Sequence, residues 1–358
     1  MEFGTFYEFP VRPGGNEADA FSEGFELIDD AERMGLDAFW LSESHCQPGV
    51  SVLAAPMTIA SAIAGRTKRM RIGLAVQVLP LGNPLRIAED GATVDQISRG
   101  RLIFGVGRSG SERAYKAYGI PYDESRDRFT EALDIIRRAW TEPTLSYEGR
   151  WHTYANVSVA PKPYQKPHPE IRIAANSPRS FQRFAEEGFR IFLGLRQGGI
   201  SQLVPHVQNY RKAWREAGHP GDGGVYIRVP VYVADTDQQA LSDTEWSITE
   251  YFRKRGTLSS RVLAAVGRGM NADLSERPEG GTPITWDELV EERVIVGSMQ
   301  TVTNRLRELQ NVLGIDGILA EINSGGQIPA AGVKRSLQLL CEAVMPAFRE
   351  EAVVRSQQ

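Results

Sequence analysis

Apolar residues recur along this chain in two alternating rhythms: short unbroken runs, and longer stretches where they return at helical spacing. The clearest example lies between Ile72 and Gly110. Ile72 to Leu79 is rich in branched apolar residues and stops at Pro80, which lacks the N–H a sheet ladder needs. Asn83-Pro84 then opens a helix. Asn83 is a good N-cap, Pro84 suits the first helical position, and Glu89 and Asp90 follow early enough to favour the positive end of the dipole. Leu85, Ala88, Ala92 and Ile97 repeat at helical spacing until Gly100 ends the pattern. Leu102 to Val106 is a second strand, so the segment predicts one parallel βαβ unit.

The same alternation fills the rest of the chain. Strands are predicted at Phe3 to Phe6, Ala38 to Leu41, Ile171 to Ala175, Ile191 to Leu195, Tyr226 to Val233, Val294 to Gly297 and Gly317 to Glu321. Helices are predicted at Phe21 to Met34, Leu53 to Ala64, Arg126 to Trp140, Pro178 to Glu187, His206 to Ala217 and Asp235 to Tyr251. Two more follow, one reaching Val312 and a last one from Val333 to Arg349. Ser111 to Glu124, with three tyrosines, a glycine and a proline, reads as a loop. Leu145 to Pro169 reads as a surface hairpin followed by an extended, proline-rich connection. From Arg253 to Glu292 the periodicity fades and glycines and prolines gather. Roughly eight strand–helix pairs predict an α/β fold, a (β/α)8 TIM barrel. It is expected as a single domain over residues 1–358, with insertions at 145–169 and 253–292 toward the carboxyl ends of the strands.

A doubly wound dinucleotide fold is the rival, because Gly105 to Gly110 spells GxGxxG directly after a strand. In that fold the third glycine opens a helix leading to another strand with an acidic residue. Here the glycines run into the tyrosine-rich loop, and about a hundred residues of other βα units precede them. The barrel is the more economical reading.

Composition narrows the function. The 358 residues are 41% hydrophobic with a net charge of −4, and no clustered basic face suggests nucleic acid. Arg66 to Arg71 reads as a solvated loop. Two cysteines, Cys46 and Cys341, exclude a disulfide framework and point to a reducing, cytoplasmic setting. Cys46 reads as a packed thiol. The start Met-Glu-Phe-Gly-Thr-Phe has no signal-peptide character, and no apolar run approaches the roughly 18 residues of a membrane span. The five histidines lack paired ligand spacing, so no metal site is expected. One anion site is suggested: Arg108, Ser109 and Gly110 end a parallel strand, where bare N–H groups and a guanidinium can face a phosphate.

Several segments resemble the bacterial luciferase-like flavin-dependent monooxygenases, and together they span nearly the whole chain. The most specific is VLPLGNPLRIAEDGATVDQISRGRLIFGVGR, from Val78 to Arg108. Phe39 to His45 (FWLSESH), Lys162 to Pro169 followed by Ile171 to Ser177 (IRIAANS), Val296 to Val302 (VGSMQTV) and Gly314 to Gly317 (GIDG) are also similar to the family. The resemblance implies a TIM barrel that takes reduced FMN from a separate reductase. With O2 it would oxygenate a small organic substrate through a flavin 4a-hydroperoxide. Deazaflavin-dependent hydride transfer and non-catalytic flavin binding are the alternatives the same barrel allows. The family's first helices usually pair two barrels, and the apolar helix from Leu53 to Ala64 fits a homodimer.

The resemblance also assigns residues. Ala75-Val76 would lie under the isoalloxazine ring, where family members often carry a non-prolyl cis peptide; the sequence alone reads it as plain core. A flavin phosphate calls for N–H donors plus a cation. Arg108, Ser109 and Gly110 would supply one half of that set, and Asn176, Ser177, Arg179 and Ser180, where a strand turns into a Ser-Pro helix start, the other. The plain alternatives are a surface salt bridge for Arg108 and an ordinary N-cap for Ser177. Glu43 and His45 fall two apart, so both face one way if the strand extends that far, and they are the candidates for proton chemistry. Ser44 stands where the family often has the first of two histidines, and Gly107 replaces a cysteine of the light-emitting branch. Both departures speak against light emission.

Overall fold

The computed structural model describes residues 1–175, 177–195, 199–266 and 285–349, with 253–266 described by backbone alone. Strand β1 (Glu2–Tyr7) leads to helix α1 (Glu17–Arg33), which Asn16 and Asp19 open with a reciprocal capping box. Next come β2 (Ala38–Leu41) and α2 (Pro56–Arg66). The apolar run expected as one strand from Ile72 to Leu79 is divided. It gives β3 (Arg71–Leu74), a cis Ala75-Val76 peptide, β4 (Gln77–Val78) and a 3-10 turn over Leu79–Leu81. Asn83 Oδ1 caps α3 (Pro84–Ser98), and Arg99, at φ 55°, turns the chain left-handed one residue before Gly100. β5 (Leu102–Gly107) completes the unit.

Ser111 to Glu124 is not the plain loop its composition suggested. It contains α4 (Glu112–Ala117), capped by Ser111, and a 3-10 turn at Tyr122–Glu124. A small apolar cluster of Val78, Leu81, Ala114 and Tyr115 holds it, a long-range cause that six residues of periodicity cannot reveal. α5 (Ser125–Thr141) precedes the antiparallel hairpin of β6 (Leu145–Glu148) and β7 (Thr153–Val157). The Glu131 carboxylate fastens the hairpin turn by accepting from the backbone N–H groups of Arg150 at 2.8 Å and His152 at 2.9 Å.

The remaining elements are β8 (Glu170–Ala174), α6 (Pro178–Glu186), β9 (Arg190–Gly194), α7 (Ile200–Glu216), β10 (Val225–Ala234) and α8 (Asp237–Val266). They are followed by α9 (Trp286–Glu292), β11 (Ile295–Ser298), α10 (Met299–Leu313), β12 (Gly317–Glu321) and α11 (Ala330–Leu339), which passes into a π-helical turn at Leu340–Val344. Several boundaries differ from the sequence reading, among them the starts of α1 and α2, which lie at Glu17 and Pro56 and not at Phe21 and Leu53; the two largest differences are in α7 and α8. α7 starts at Ile200, ahead of His206, because Pro205 falls near its beginning and costs the helix one hydrogen bond without stopping it. α8 runs on to Val266, so the irregular stretch does not begin at Arg253. The core of that expected insertion, 267–284, lies outside the described residues.

Strand order is β1-β2-β3-β5-β8-β9-β10-β12, and β12 returns to β1 with Glu2 opposite Gly317, in parallel. This is a closed (β/α)8 barrel. β11 adds to the far part of β10, where Val231 faces Ile295. The chain clusters into two compact units that divide after Ala174: Phe6–Val11 with Gly15–Ala174, and Met1–Thr5 with Arg12–Gly14 and the residues from Ala175 onward.

Inside the first unit Trp40 and Arg172 are fully buried, with the guanidinium 5.1 Å from the ring centroid. Gly73 makes room for that indole, since a Cβ there would fall 2.2 Å from Trp40. Glu170 accepts from Arg172 Nε at 2.8 Å and from Arg71 Nη2 at 2.7 Å, so Arg71 is not the solvated charge its basic neighbours implied. Burial pushes the Glu170 carboxyl up, but Arg172 and then Arg71 outweigh it and hold its pKa at about 2. A depressed carboxyl contributes stability above its unfolded pKa and loses it as pH falls. Glu170→Gln is therefore expected to cost about 3 kcal/mol at pH 7, the equivalent of that depression. The deficit should shrink between pH 4.5 and about 2. Urea denaturation across that range checks it, and a deficit that stays constant with pH would refute the assignment.

Candidate active site

β2 and β3 run in register, Leu41 opposite Leu74, so the segments that leave them start level with one another. β2 stops at Leu41, and Glu43 and His45 stand on irregular chain, not on an extended strand. The alternation argument therefore does not apply, yet the turn brings the two together, with His45 Nε2 2.7 Å from Glu43 Oε1. The other Glu43 oxygen accepts from Gln77 Nε2 at 2.6 Å and from Val78 N at 2.9 Å. Both side chains are nearly enclosed. His45 Nδ1 in turn lies 3.0 Å from the Tyr118 hydroxyl.

Two buried polar atoms beside this cluster, Ser42 Oγ and Gln77 Oε1, have no hydrogen-bond partner among the described residues. A buried polar group left unpaired costs stability, and such groups are normally satisfied by something. Gln77, Ser42 and Tyr118 were not singled out from the sequence. Gln77 carried a usable signal, since it is the polar residue inside an otherwise apolar strand. Tyr118 carried none, because its place depends on the fold of Ser111 to Glu124.

Val76, on the cis peptide, packs against Gly107: a Cβ on residue 107 would fall 2.8 Å from Val76 Cγ2. Arg108 follows, half-buried, with Nη1 donating to Ser125 Oγ at 2.8 Å and its carbonyl accepting from the Tyr115 hydroxyl. Burial pushes the Tyr115 phenol up, which keeps it a donor. Ser109 sits in the left-handed region at φ 61°, its Oγ accepting from Ser111 N at 3.2 Å, and Gly110 is exposed. Cys46, expected as a packed thiol, is exposed, and its backbone sits in the left-handed region at φ 58°.

The second group of expected phosphate ligands belongs to the other unit. Ser177 is the N-cap of α6, in line with the plain alternative. Ser180 is occupied within the first turn, its Oγ accepting from Ser177 N at 3.0 Å and donating to Ser177 O at 2.7 Å. Arg179 is exposed, and Asn176 lies outside the described residues. Among the described residues no cluster of His, Cys, Asp and Glu is placed to hold a metal ion, and no helix is long and apolar enough to cross a membrane.

A model of the luciferase-like monooxygenases matches residues 1–316. The chain belongs to that family. It is a flavin-dependent monooxygenase of the luciferase-like type. Among its relatives, the oxygenase component of the flavin-dependent trigonelline monooxygenase of Acinetobacter baylyi is 25% identical, over 99% of this chain and 98% of that protein. The monooxygenase RslO1 of Streptomyces bottropensis is 26% identical with a TM-score of 0.80, over 97% of this chain and 100% of that one. The oxygenating constituent of 3,6-diketocamphane monooxygenase from Pseudomonas putida, solved with FMN, gives 24% and 0.80 over 97% and 98%, a likeness of fold.

The Val76–Gly107 approach makes a stability prediction for this luciferase-like enzyme. Gly107→Ala should lower its unfolding free energy by about 1–3 kcal/mol, the usual cost of overpacking, because neither Val76 methyl is a flexible chain end. Chemical denaturation of the flavin-free protein measures this. Unchanged stability would mean that Val76 can move aside.

Proposed function

We propose that the protein is the oxygenase component of a two-component system working in the cytoplasm. It takes reduced FMN from a separate reductase and, with O2, oxygenates a small organic substrate. The observation that carries this reading is the pair of unpartnered buried atoms, Ser42 Oγ and Gln77 Oε1, set beside Glu43 and His45. A heterocycle edged with N–H and C=O groups fits such atoms, and a flavin ring has that edge. The reduced flavin supplies the electrons that activate O2.

The remaining roles belong to the chain. Ser42 and Gln77 bind the ring edge, and Val76 presents an apolar surface to it. Glu43 orients His45, and the pair takes up and returns the proton that the reaction moves. Arg108, with Ser109 and Gly110, binds the phosphate. Ser177 and Arg179 offer a helix start and a cation of the same chemistry in their own unit. The surrounding apolar side chains keep water away from the reaction. Supplying reduced FMN with a panel of aldehydes, ketones and sulfonates, and following products by mass spectrometry, tests the function. Absence of any oxygenated product, with tighter binding of a deazaflavin than of FMN, would replace it with hydride transfer.

Two further outcomes follow from these assignments. Arg108→Ala should weaken FMN binding by about 1.5–3 kcal/mol, the worth of a charge-assisted hydrogen bond, and leave riboflavin binding nearly unchanged. Calorimetric titration of both ligands decides it, and equal losses would sink the phosphate role. A homodimer is also expected. On α2, Ile59 remains partly exposed, and Ile97 on the neighbouring α3 is 50% exposed, apolar surface suited to a second copy. A monomer in sedimentation at micromolar concentration would refute it.

A further inference from the structure

Both ring nitrogens of His45 are engaged, Nε2 with Glu43 and Nδ1 with Tyr118. Gln77 and Val78 both donate to Glu43, which marks this carboxyl group as the acceptor of the cluster. A hydrogen on Nε2, with Nδ1 turned as acceptor to the Tyr118 O–H, is the tautomer that fits this arrangement. The two rings meet edge to face with centroids 5.0 Å apart. Exposure falls along the same line: Tyr118 is 48% exposed, while the side chains of His45 and Glu43 are 11% and 5% exposed. Strand order gives the line a place. Tyr118 follows β5 and His45 follows β2, so their bond spans the carboxyl end of the intervening β3 and β4, where Gln77 keeps its unpartnered oxygen.

Resting on the flavin reading above, we propose that Tyr118 is the group that meets the reactant, with His45 and Glu43 behind it as a proton relay. A proton leaving a reactant O–H or N–H bond passes to the Tyr118 oxygen as the Tyr118 proton passes to His45 Nδ1. The reactant keeps the electron pair of the broken bond, and the new imidazolium rests against the Glu43 carboxylate. The reverse transfer restores all three groups, and no electron moves. His45, Glu43 and Cys46 are the titratable groups facing Tyr118. Burial, then Glu43 and Cys46, push the phenol up, so a free tyrosinate does not form at neutral pH and the two transfers are coupled.

The test uses the full-length protein with 15N-labelled histidine. Without flavin, wild-type His45 should be protonated at Nε2, with its Nδ1 resonance displaced by an accepted hydrogen bond. Tyr118→Phe keeps the ring, loses only the hydroxyl, and should move that resonance to the position of an unbonded acceptor. Loaded with reduced FMN and mixed with O2 alone, the protein returns FMN and hydrogen peroxide (FMNH⁻ + O2 + H⁺ → FMN + H2O2). Tyr118→Phe should slow this reoxidation by about 100-fold, within the range of general acid–base contributions, with the Kd for reduced FMN changed less than about 2-fold. His45→Ala should slow it comparably, and the double variant no further, since members of one relay are not additive. A proton on Nδ1, additive losses, or a Tyr118→Phe variant reoxidising at the wild-type rate would overturn the relay. If wild type fails to bind reduced FMN, the flavin reading falls instead, and the histidine spectrum still decides the Tyr118–His45 bond.

Discussion

The candidate site hangs on the carboxylate of Glu43. It draws one donor from its own turn, His45, and two from the far side of the strand break, Gln77 Nε2 and Val78 N. Each of these is shielded from water, so each would carry a desolvation cost without its partner. One acceptor thus fixes the exit of β2 against β4, holds His45 by Nε2, and anchors Gln77 by its nitrogen so that its oxygen is left over for something else.

The barrel's part is to bring these short segments level. Parallel pairing of β2, β3, β4 and β5 puts their carboxyl ends side by side, and the polar groups emerge where the ladders stop. Tyr118 joins them from a different direction. It reaches His45 because α4 is seated on Val78 and Leu81 by Ala114 and Tyr115, and because Gln47 Nε2 donates to Ser111 Oγ at 3.1 Å.

Much of this scaffold was legible in the sequence. Ala38 to Leu41 and Gly317 to Glu321 were read to the residue, since short apolar runs bounded by turn residues leave little freedom. The α3 start was equally plain from Asn83-Pro84. Long-range causes were not legible. Nothing local divides Ile72 to Leu79, the Ser111 cap is the one local sign of a helix over Glu112 to Ala117 and does not hold it in place, and the continuation of α8 beyond Tyr251 is masked by glycine-rich neighbours. The pairing of Glu43 with His45 was anticipated for the wrong reason, because strand alternation stops at Leu41. Ser180 illustrates the opposite limit: its residue type suits an anion, but its hydroxyl is consumed by the turn it begins.

The Arg172–Glu170–Trp40 cluster also determines how the protein responds to ionic strength. Surface pairs such as Arg86–Asp90, Arg138–Glu142 and Lys212–Glu216 face solvent, where salt at about 0.15 M screens charge over roughly 8 Å. Dissolved ions cannot approach Arg172, which is fully buried behind an indole ring. Added salt therefore loosens the helical exterior while leaving this interior attraction untouched. A saline medium and an acidic one would weaken different parts of the same molecule.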